Sequence, residues 1–501
     1  MGRTDGGPVQ TIAGLLETGA DDQVAISDPA GTALTHGQLR EQVSAVAGQL
    51  AGLGAGQGMR VAIAMGNGID IVVAFLAVTS IGAAAAPLNP AFSPAEIRGE
   101  MTDLGVSLVL HDEQTRESVT AAAGELDVAA RSVVSTGGTV AIEGAAAGGD
   151  VPSASPDDVA LLLHTSGTTS KPKTVPIAQR NIAASVRTIA ATYSLDADDV
   201  GYVVMPLFHV HGLMAGVLAP LSVGGRVVVP PRFSGSSFWS DIRGHRATWF
   251  TAVPTIHHIV LGTWDATQDR EHGLRFARSC SSTLPAPLWR RFEDVVGVPL
   301  VEAYGMTEAS HQMTANPLPP GRREPGSVGV PTGVEVAILD GEWSPVPTGE
   351  SGEVCVRGPS VVDGYLDNPE ANAASFRDGW FRTGDVGTLD EDGYLRLVGR
   401  IKELINRGGE KISPYEVEAV LLDHPAVSEA AVYPVPDEVL GEQVGAVVVP
   451  SSAVDGDELV RHCAERLVAF KVPVSVAVLD AIPKGPTGKI QRRLLSSLVQ
   501  R

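Results

Sequence analysis

The stretch Thr165-Ser166-Gly167-Thr168-Thr169-Ser170-Lys171-Pro172-Lys173 comes directly after an apolar run, Asp158 to Thr165 (DVALLLHT). A buried strand that breaks into a loop of hydroxyl residues around a glycine, followed by two lysines, predicts a cradle for polyphosphate. Backbone N–H groups, hydroxyls and ammonium groups can all converge on one anion there. It is not a Walker A loop, because G-x-x-x-x-G-K-[ST] does not fit this spacing. The plain alternative is a solvated Ser/Thr loop, and the rest of the chain decides between the two.

On the N-terminal side, helical patterns alternate with short apolar strands from about residue 10 to 110. Gln38 to Leu53 reads as a helix ending near Gly54, and Arg60 to Ala64 as a buried strand, which favours parallel α/β architecture. The uncharged run Ile71 to Ala91 is long enough to weigh as a membrane span. Thr79, Ser80, Gly82, Pro87, Asn89 and Pro90 instead divide it into a buried helix, a turn at Gly82 and a short strand. Residues 112–157 are rich in Ala, Gly, Ser and Asp with weak periodicity and read as a surface crossing. On the C-terminal side, α/β units continue to about residue 320 and a β-rich region covers 325–400. The last hundred residues form a small α/β pattern with helices near 414–423 and 456–468.

A chain of 501 residues exceeds what one core supports, so two or three units are expected. With 44% hydrophobic and 19% charged residues it reads as globular. Aromatic residues are only 5%, which leaves no large stacking platform for nucleic acid. The net charge of −21 repels nucleic acids and anionic membranes, so the expected partners are small molecules held by local donors, with no stable membrane insertion. Cys280, Cys355 and Cys463 have neither metal-ligand nor disulfide spacing, which makes the cytoplasm the expected compartment. The start MGRTDGGPVQ lacks a signal-peptide pattern, and Gly6 stands where a myristoylation motif wants Ser or Thr.

Five further strings follow the loop: Pro206-Leu207-Phe208-His209, Glu302-Ala303-Tyr304-Gly305-Met306-Thr307-Glu308, Thr383-Gly384-Asp385, Gly399-Arg400-Ile401-Lys402-Glu403 and Pro486-Thr487-Gly488-Lys489. Together with the loop they resemble, in type and order and over essentially the whole chain, the motifs of the adenylate-forming superfamily. That superfamily includes acyl-CoA synthetases, luciferases and peptide-synthetase adenylation domains. The resemblance implies an α/β fold: a large N-terminal domain of two α/β subdomains plus a β-rich subdomain, and a small mobile C-terminal α+β domain. It places the large domain at 1–400, the hinge at 401–402 and the small domain at 403–501.

The implied activity is an acid–CoA ligase that uses ATP, Mg²⁺ and coenzyme A, making an acyl-adenylate and then a thioester. Thr165, Ser166, Gly167, Thr168, Thr169 and Lys173 would cradle the phosphates. Ser282, Thr283, Glu302, Ala303 and Gly305 would lie beside the nucleotide, with Tyr304 stacked on adenine. Thr307 would meet the α-phosphate, Glu308 would hold Mg²⁺ through hard oxygens, and Asp385 and Arg400 would take the ribose. Lys489 would grip the α-phosphate and the substrate carboxylate, neutralising charge as one anion attacks another. Lys402 falls at the hinge, about which the small domain would rotate to bring Gly408, Gly409 and Lys411 to the pantetheine arm. Ser413 would also cap a following helix. Two departures stand out: Ser170 and Thr174 occupy positions where many relatives have Gly, and the β-branched Thr174 should stiffen the end of the loop.

The acid pocket is expected between Pro206–Gly216, Thr251–His258 and the stretch after Glu308, lined by His209, His211, Met214, His257, Ser281, Ser282, His311 and Met313. Histidines and serines around an alkyl tail would be left unpaired at high cost, so a small acid with a second polar end fits better. The strings AVPTIHHI, RSCSSTL, MTEASHQM and GRIKELINRGGEKISP resemble the oxalate–CoA ligase branch. On that resemblance His311 and one of Ser281 and Ser282 would hold the distal carboxylate, with His209 nearby. The alternative is an apolar acid, as in fatty-acyl-CoA or aryl-CoA (4-coumarate-like) synthetases. Loading of a carrier protein is a weaker reading, because MPLFHVHGL offers no acidic residue for a substrate amine.

Overall fold

Arg60–Ala64, Ala84–Pro87 and Leu108–His111 are buried almost without interruption, as strands of a sheet covered on both faces must be. The computed structural model, which describes residues 8–146, 148, 151–165, 172–267, 270–485 and 490–499, sets them in the middle of a seven-stranded sheet. Its spatial order is Thr139–Ile142, Ala129–Thr136, Leu108–His111, Arg60–Ala64, Ala84–Pro87, Val159–Thr165, Lys173–Ala178. The uncharged run resolves into the buried helix Ile69–Ser80, a turn with Gly82 at φ 72°, and the strand Ala84–Pro87. No helix among the described residues is long and apolar enough to cross a membrane.

The reading of 112–157 as a surface crossing is corrected. The helix Arg116–Leu126 packs Val119, Ala122 and Ala123 inward. The strand Ala129–Thr136 then extends the sheet parallel to Leu108–His111, and Thr139–Ile142 closes the edge as a hairpin. Alanine gives little hydropathic contrast, so the helix period is faint in the sequence although its inner face is buried.

A nine-stranded sheet forms the second α/β unit, in the order Val330–Pro331, His311–Ala315, Leu300–Met306, Phe276–Ser279, Trp249–Ala252, Val200–Val203, Arg226–Val228, Val24–Ser27, Ala33–Thr35. From Leu300–Met306 through Val24–Ser27 the pairings are parallel, while His311–Ala315 returns antiparallel. The two sheets share one hydrophobic core containing Ile63, Phe75, Val186, Val203 and Trp249. Helix Gln179–Thr192 ties the layers: the Gln179 amide donates to the Thr79 carbonyl at 2.7 Å and accepts from the Ile12 N–H at 2.9 Å.

Glu335–Leu339, Gly352–Arg357, Trp380–Leu389 and Leu395–Arg400 make the β-rich subdomain, joined antiparallel. Beyond it a smaller sheet, with Gly441–Pro450 at its centre and Val427–Asp437 paired along it, carries the helices Pro414–Leu422 and Gly456–Ala464 over a separate core. Ser413 caps the first of these helices, accepting from the Glu416 N–H at 3.3 Å. The architecture is therefore two α/β subdomains, a β-rich subdomain and a small α+β unit.

Candidate active site

Ligands of parallel α/β sheets bind beyond the carboxyl ends of the strands, where loops and helix starts converge. The nine-stranded sheet presents Thr251, Arg278 and Tyr304 from three neighbouring strands toward this end, with Ser281 just past the second. The antiparallel return places His311 against Met306 in register. Close approach there depends on Gly305, where an added Cβ would lie 1.7 Å from the His311 carbonyl oxygen.

On the nucleotide side, the buried Tyr304 hydroxyl donates to Asp385, and Arg400 Nε lies 3.0 Å from the other Asp385 oxygen. Asp385 and Arg400 face each other in antiparallel register, which explains a pair so far from Tyr304 in sequence. The Asp385 carboxylate raises the Arg400 pKa above its ordinary value. Glu308 is buried on the turn Thr307–Ala309 and accepts from the Tyr365 hydroxyl at 2.9 Å. Lys173 Nζ sits 4.3 Å from the centre of the Tyr365 ring. Burial lowers the Lys173 pKa, Glu308 opposes that shift, and Lys402 adds to it, so these three groups share one field. Tyr365, which the sequence reading passed over, thus bridges the two charged groups expected at the phosphates. A buried carboxylate beside a lysine and a phenol is a donor set suited to Mg²⁺ and phosphate oxygens.

Thr165 ends its strand opposite Lys173. Ser166, Gly167, Thr168 and Thr169 of the loop, and Lys489 of the C-terminal motif, lie outside the described residues. Lys484 and Ile490 flank that motif and pair as an antiparallel bridge. Lys484 Nζ is 2.7 Å from Glu429 and 3.5 Å from the Thr255 hydroxyl of the large unit. Gly408 and Gly409 turn between Ile405–Arg407 and Glu410–Ile412 at φ 63° and 99°, which a side chain would resist. Lys411 and Lys402 are exposed, and Ala303 is buried beside Tyr304. Glu302 is buried with its carboxylate accepting from the Leu284 N–H at 3.0 Å, and burial pushes its pKa up to about 8. Ser282 and Thr283 are exposed past the end of the strand Phe276–Ser279.

On the acid side, His211 starts a fully buried π-helical turn, His211–Leu218. Its ring stacks on His311 with centroids 4.9 Å apart and meets the Ser281 hydroxyl through Nδ1 at 3.0 Å. Burial holds both imidazoles well below their usual pKa; the neighbouring His311 and Arg278 lower His211 further, and Arg278 lowers His311. Both are therefore neutral at pH 7. His311 Nε2 is buried with no hydrogen-bond partner among the described residues. Ser281, Ser310 and His311 all adopt left-handed φ, at 72°, 52° and 103°, a local strain of the kind that collects at ligand sites. His209 lies next to Phe208 at the mouth of this turn and adds to the field on His211. Met214 and Met313 belong to the main core. His257 packs among Phe250 and Phe292, so it is a core residue rather than a wall of the polar cluster. Burial lowers its pKa to about 4.

The AMP-binding enzyme family profile matches residues 17–366, and the AMP-binding enzyme C-terminal domain profile matches 416–489. An oxalate–CoA ligase of Arabidopsis thaliana is 45% identical, covering 97% of this chain and 98% of its own length. A probable CoA ligase of Humulus lupulus is 47% identical, covering 97% of this chain and 96% of its own. Among solved structures, ATP-bound MatB from Rhodopseudomonas palustris superposes with a TM-score of 0.90 at 30% identity, covering 98% and 99% of the two chains.

Proposed function

We propose, from the premise that this chain belongs to the AMP-binding enzyme family and is an AMP-forming acid–thiol ligase using ATP, Mg²⁺ and coenzyme A, that its acid is oxalate or a similarly small carboxylate. In the first half-reaction a carboxylate oxygen of the acid attacks the α-phosphorus and pyrophosphate leaves. An anion attacks an anion, so the protein's contribution is positioning and charge neutralisation. Tyr304 takes the adenine face, and Asp385 with Arg400 takes the ribose hydroxyls. Glu308 would hold Mg²⁺, which when bound neutralises charge across the phosphates. Thr165, Lys173 and the adjoining loop hold the phosphate oxygens, with Thr307 at the α-phosphate. Lys489 neutralises the developing charge, a role supported by the Lys484 contact that holds the flanking bridge against Thr255.

In the second half-reaction the thiolate of coenzyme A attacks the acyl carbon and AMP leaves. The 403–501 unit rotates about Lys402 against 1–400, bringing the Gly408-Gly409 turn and Lys411 to the pantetheine. The three buried free cysteines suit a reducing cytoplasm.

The observation that carries the choice of acid is the unpartnered, buried Nε2 of His311 beside the polar cluster of His211 and Ser281. A second carboxylate satisfies the His311 nitrogen, whereas an alkyl or aryl tail strands it at a cost of about 1–3 kcal/mol. The test is pyrophosphate release with oxalate, malonate, acetate, coumarate and octanoate, with and without coenzyme A. Oxalate should turn over fastest, with coenzyme A required beyond one equivalent. Preference for octanoate or coumarate would replace this reading with a fatty-acyl or aryl ligase.

A further inference from the structure

Arg278 interrupts a strand, Phe276–Ser279, whose place in the middle of a parallel sheet calls for apolar side chains, and it is completely buried. A guanidinium stays charged in proteins and can only donate hydrogen bonds. The acceptors that its three nitrogens meet are all neutral. Nε reaches the Tyr193 hydroxyl at 2.9 Å, Nη1 reaches the Thr251 hydroxyl at 2.9 Å, and Nη2 reaches the Gln312 carbonyl oxygen at 3.1 Å. Among the described residues no carboxylate pairs with it. A buried cation without a counter-charge is costly unless an anion arrives.

The hydrogen-bond directions can be followed from that cation. Thr251 and Arg278 are register partners on adjacent strands, so their side chains share one face. The Thr251 oxygen accepts from Nη1, which leaves its single proton for His211 Nε2, 2.6 Å away. Nη1 also lies 3.4 Å from the same Nε2, and a second N–H there would put two donors face to face. His211 therefore accepts at Nε2 and carries its proton on Nδ1, which donates to the Ser281 oxygen at 3.0 Å. With one lone pair of that oxygen occupied by His211, whose ring stacks on His311, the Ser281 hydroxyl keeps its own proton to donate to a ligand. The other branch is locked too: the Tyr193 hydroxyl donates to Gln312 at 2.9 Å, and the Gln312 amide donates to Thr192 and Thr332.

We propose that Arg278 is a specificity-determining positioning residue: through Thr251 and His211 it sets the proton direction of a relay that ends on Ser281, so the pocket offers the far end of the acid a hydroxyl proton backed by a buried positive charge. The ligand class this selects is an acid whose second end is an anionic acceptor, above all a second carboxylate. The inference deepens the small-acid reading and rests on it.

Two measurements on the full-length enzyme test it and separate its failure from that of the reading beneath it. Long-range ¹H–¹⁵N spectra with ¹⁵N-histidine report tautomers without any turnover. His211, assigned by its loss in His211→Asn, should be protonated on Nδ1, and Thr251→Val should convert it to the Nε2–H form or a mixture. In kinetics, Thr251→Val should raise KM for oxalate by ~10- to 100-fold while KM for ATP stays within ~3-fold, and Thr251→Ser should restore the wild-type value. Arg278→Met should raise the same KM at least as much; if that variant does not fold, the Thr251 pair still decides. Nε2 protonation of His211 in the wild type overturns the relay, as does a Thr251→Val enzyme with an unchanged KM for the acid. Absence of any oxalate turnover in the wild type would instead overturn the small-acid reading, while the tautomer result still stands on its own.

Discussion

Replacing His311 with Ala should separate dicarboxylates from monocarboxylates. The ring is buried on a strand paired with Met306, and its Nε2 has no hydrogen-bond partner among the described residues. A bound carboxylate would give that nitrogen a hydrogen bond to a charged group, worth about 1.5–3 kcal/mol. Removing it should lower kcat/KM for oxalate by ~10- to ~150-fold, since each 1.4 kcal/mol is tenfold. Acetate has nothing at that end, so its value should change by no more than ~3-fold, as should KM for ATP. The left-handed φ of 103° strains any residue with a Cβ, so Ala brings no new backbone cost and the variant should fold. Initial rates of pyrophosphate release, with thermal unfolding as a check on folding, supply both numbers. Equal losses for oxalate and acetate in a folded variant would refute the assignment of His311 to the far carboxylate.

Three other outcomes follow from the same geometry. Lys489→Ala should abolish adenylate formation yet leave thioester formation from pre-made acyl-adenylate largely intact; rapid-quench assays of the two half-reactions check this, and equal loss of both counts against domain rotation. Gly305→Ala puts a Cβ 1.7 Å from the His311 carbonyl and must push the two strands apart, so activity should fall ~100-fold or more with a stability loss of about 1–3 kcal/mol, measured by urea unfolding. His257 is buried neutral with a pKa of about 4, against 6.5 for an ordinary histidine. The unfolded chain takes up the proton first, so the stability it contributes is complete above pH 6.5 and declines as pH falls toward about 4, by about 3 kcal/mol; urea midpoints for the wild type and His257→Gln should converge in relative terms as pH drops from 7.5 to 4.5.

The parts of the site legible in the sequence are those written in consecutive residues. The strand Val159–Thr165 with its loop, and Tyr304 through Glu308, each sit on one strand and the turn that ends it. Local periodicity and composition therefore find them. Arg278, Thr251, Gln312 and Tyr193 are different: sheet register and a helix end bring them together from separate segments. The string RSCSSTL marks its serines as candidate pocket residues, while the arginine at its head carries no local signal and stands out only by its full burial. Tyr365 was missed for the same reason, since it reaches Glu308 and Lys173 from a loop with no motif of its own. His257 misled in the opposite sense, because a histidine in a helix next to a pocket segment looks the same in sequence whether it faces the pocket or Phe250 and Phe292.

The central claim, that an organic carboxylate attacks the α-phosphorus of ATP, is tested most directly with oxalate labelled with ¹⁸O in its carboxyl oxygens. After turnover with coenzyme A, mass spectrometry should find one ¹⁸O in each AMP and none in pyrophosphate, because the attacking oxygen stays on phosphorus when the thiol displaces the acyl group. Label in pyrophosphate, or unlabelled AMP alongside consumed oxalate, would contradict it.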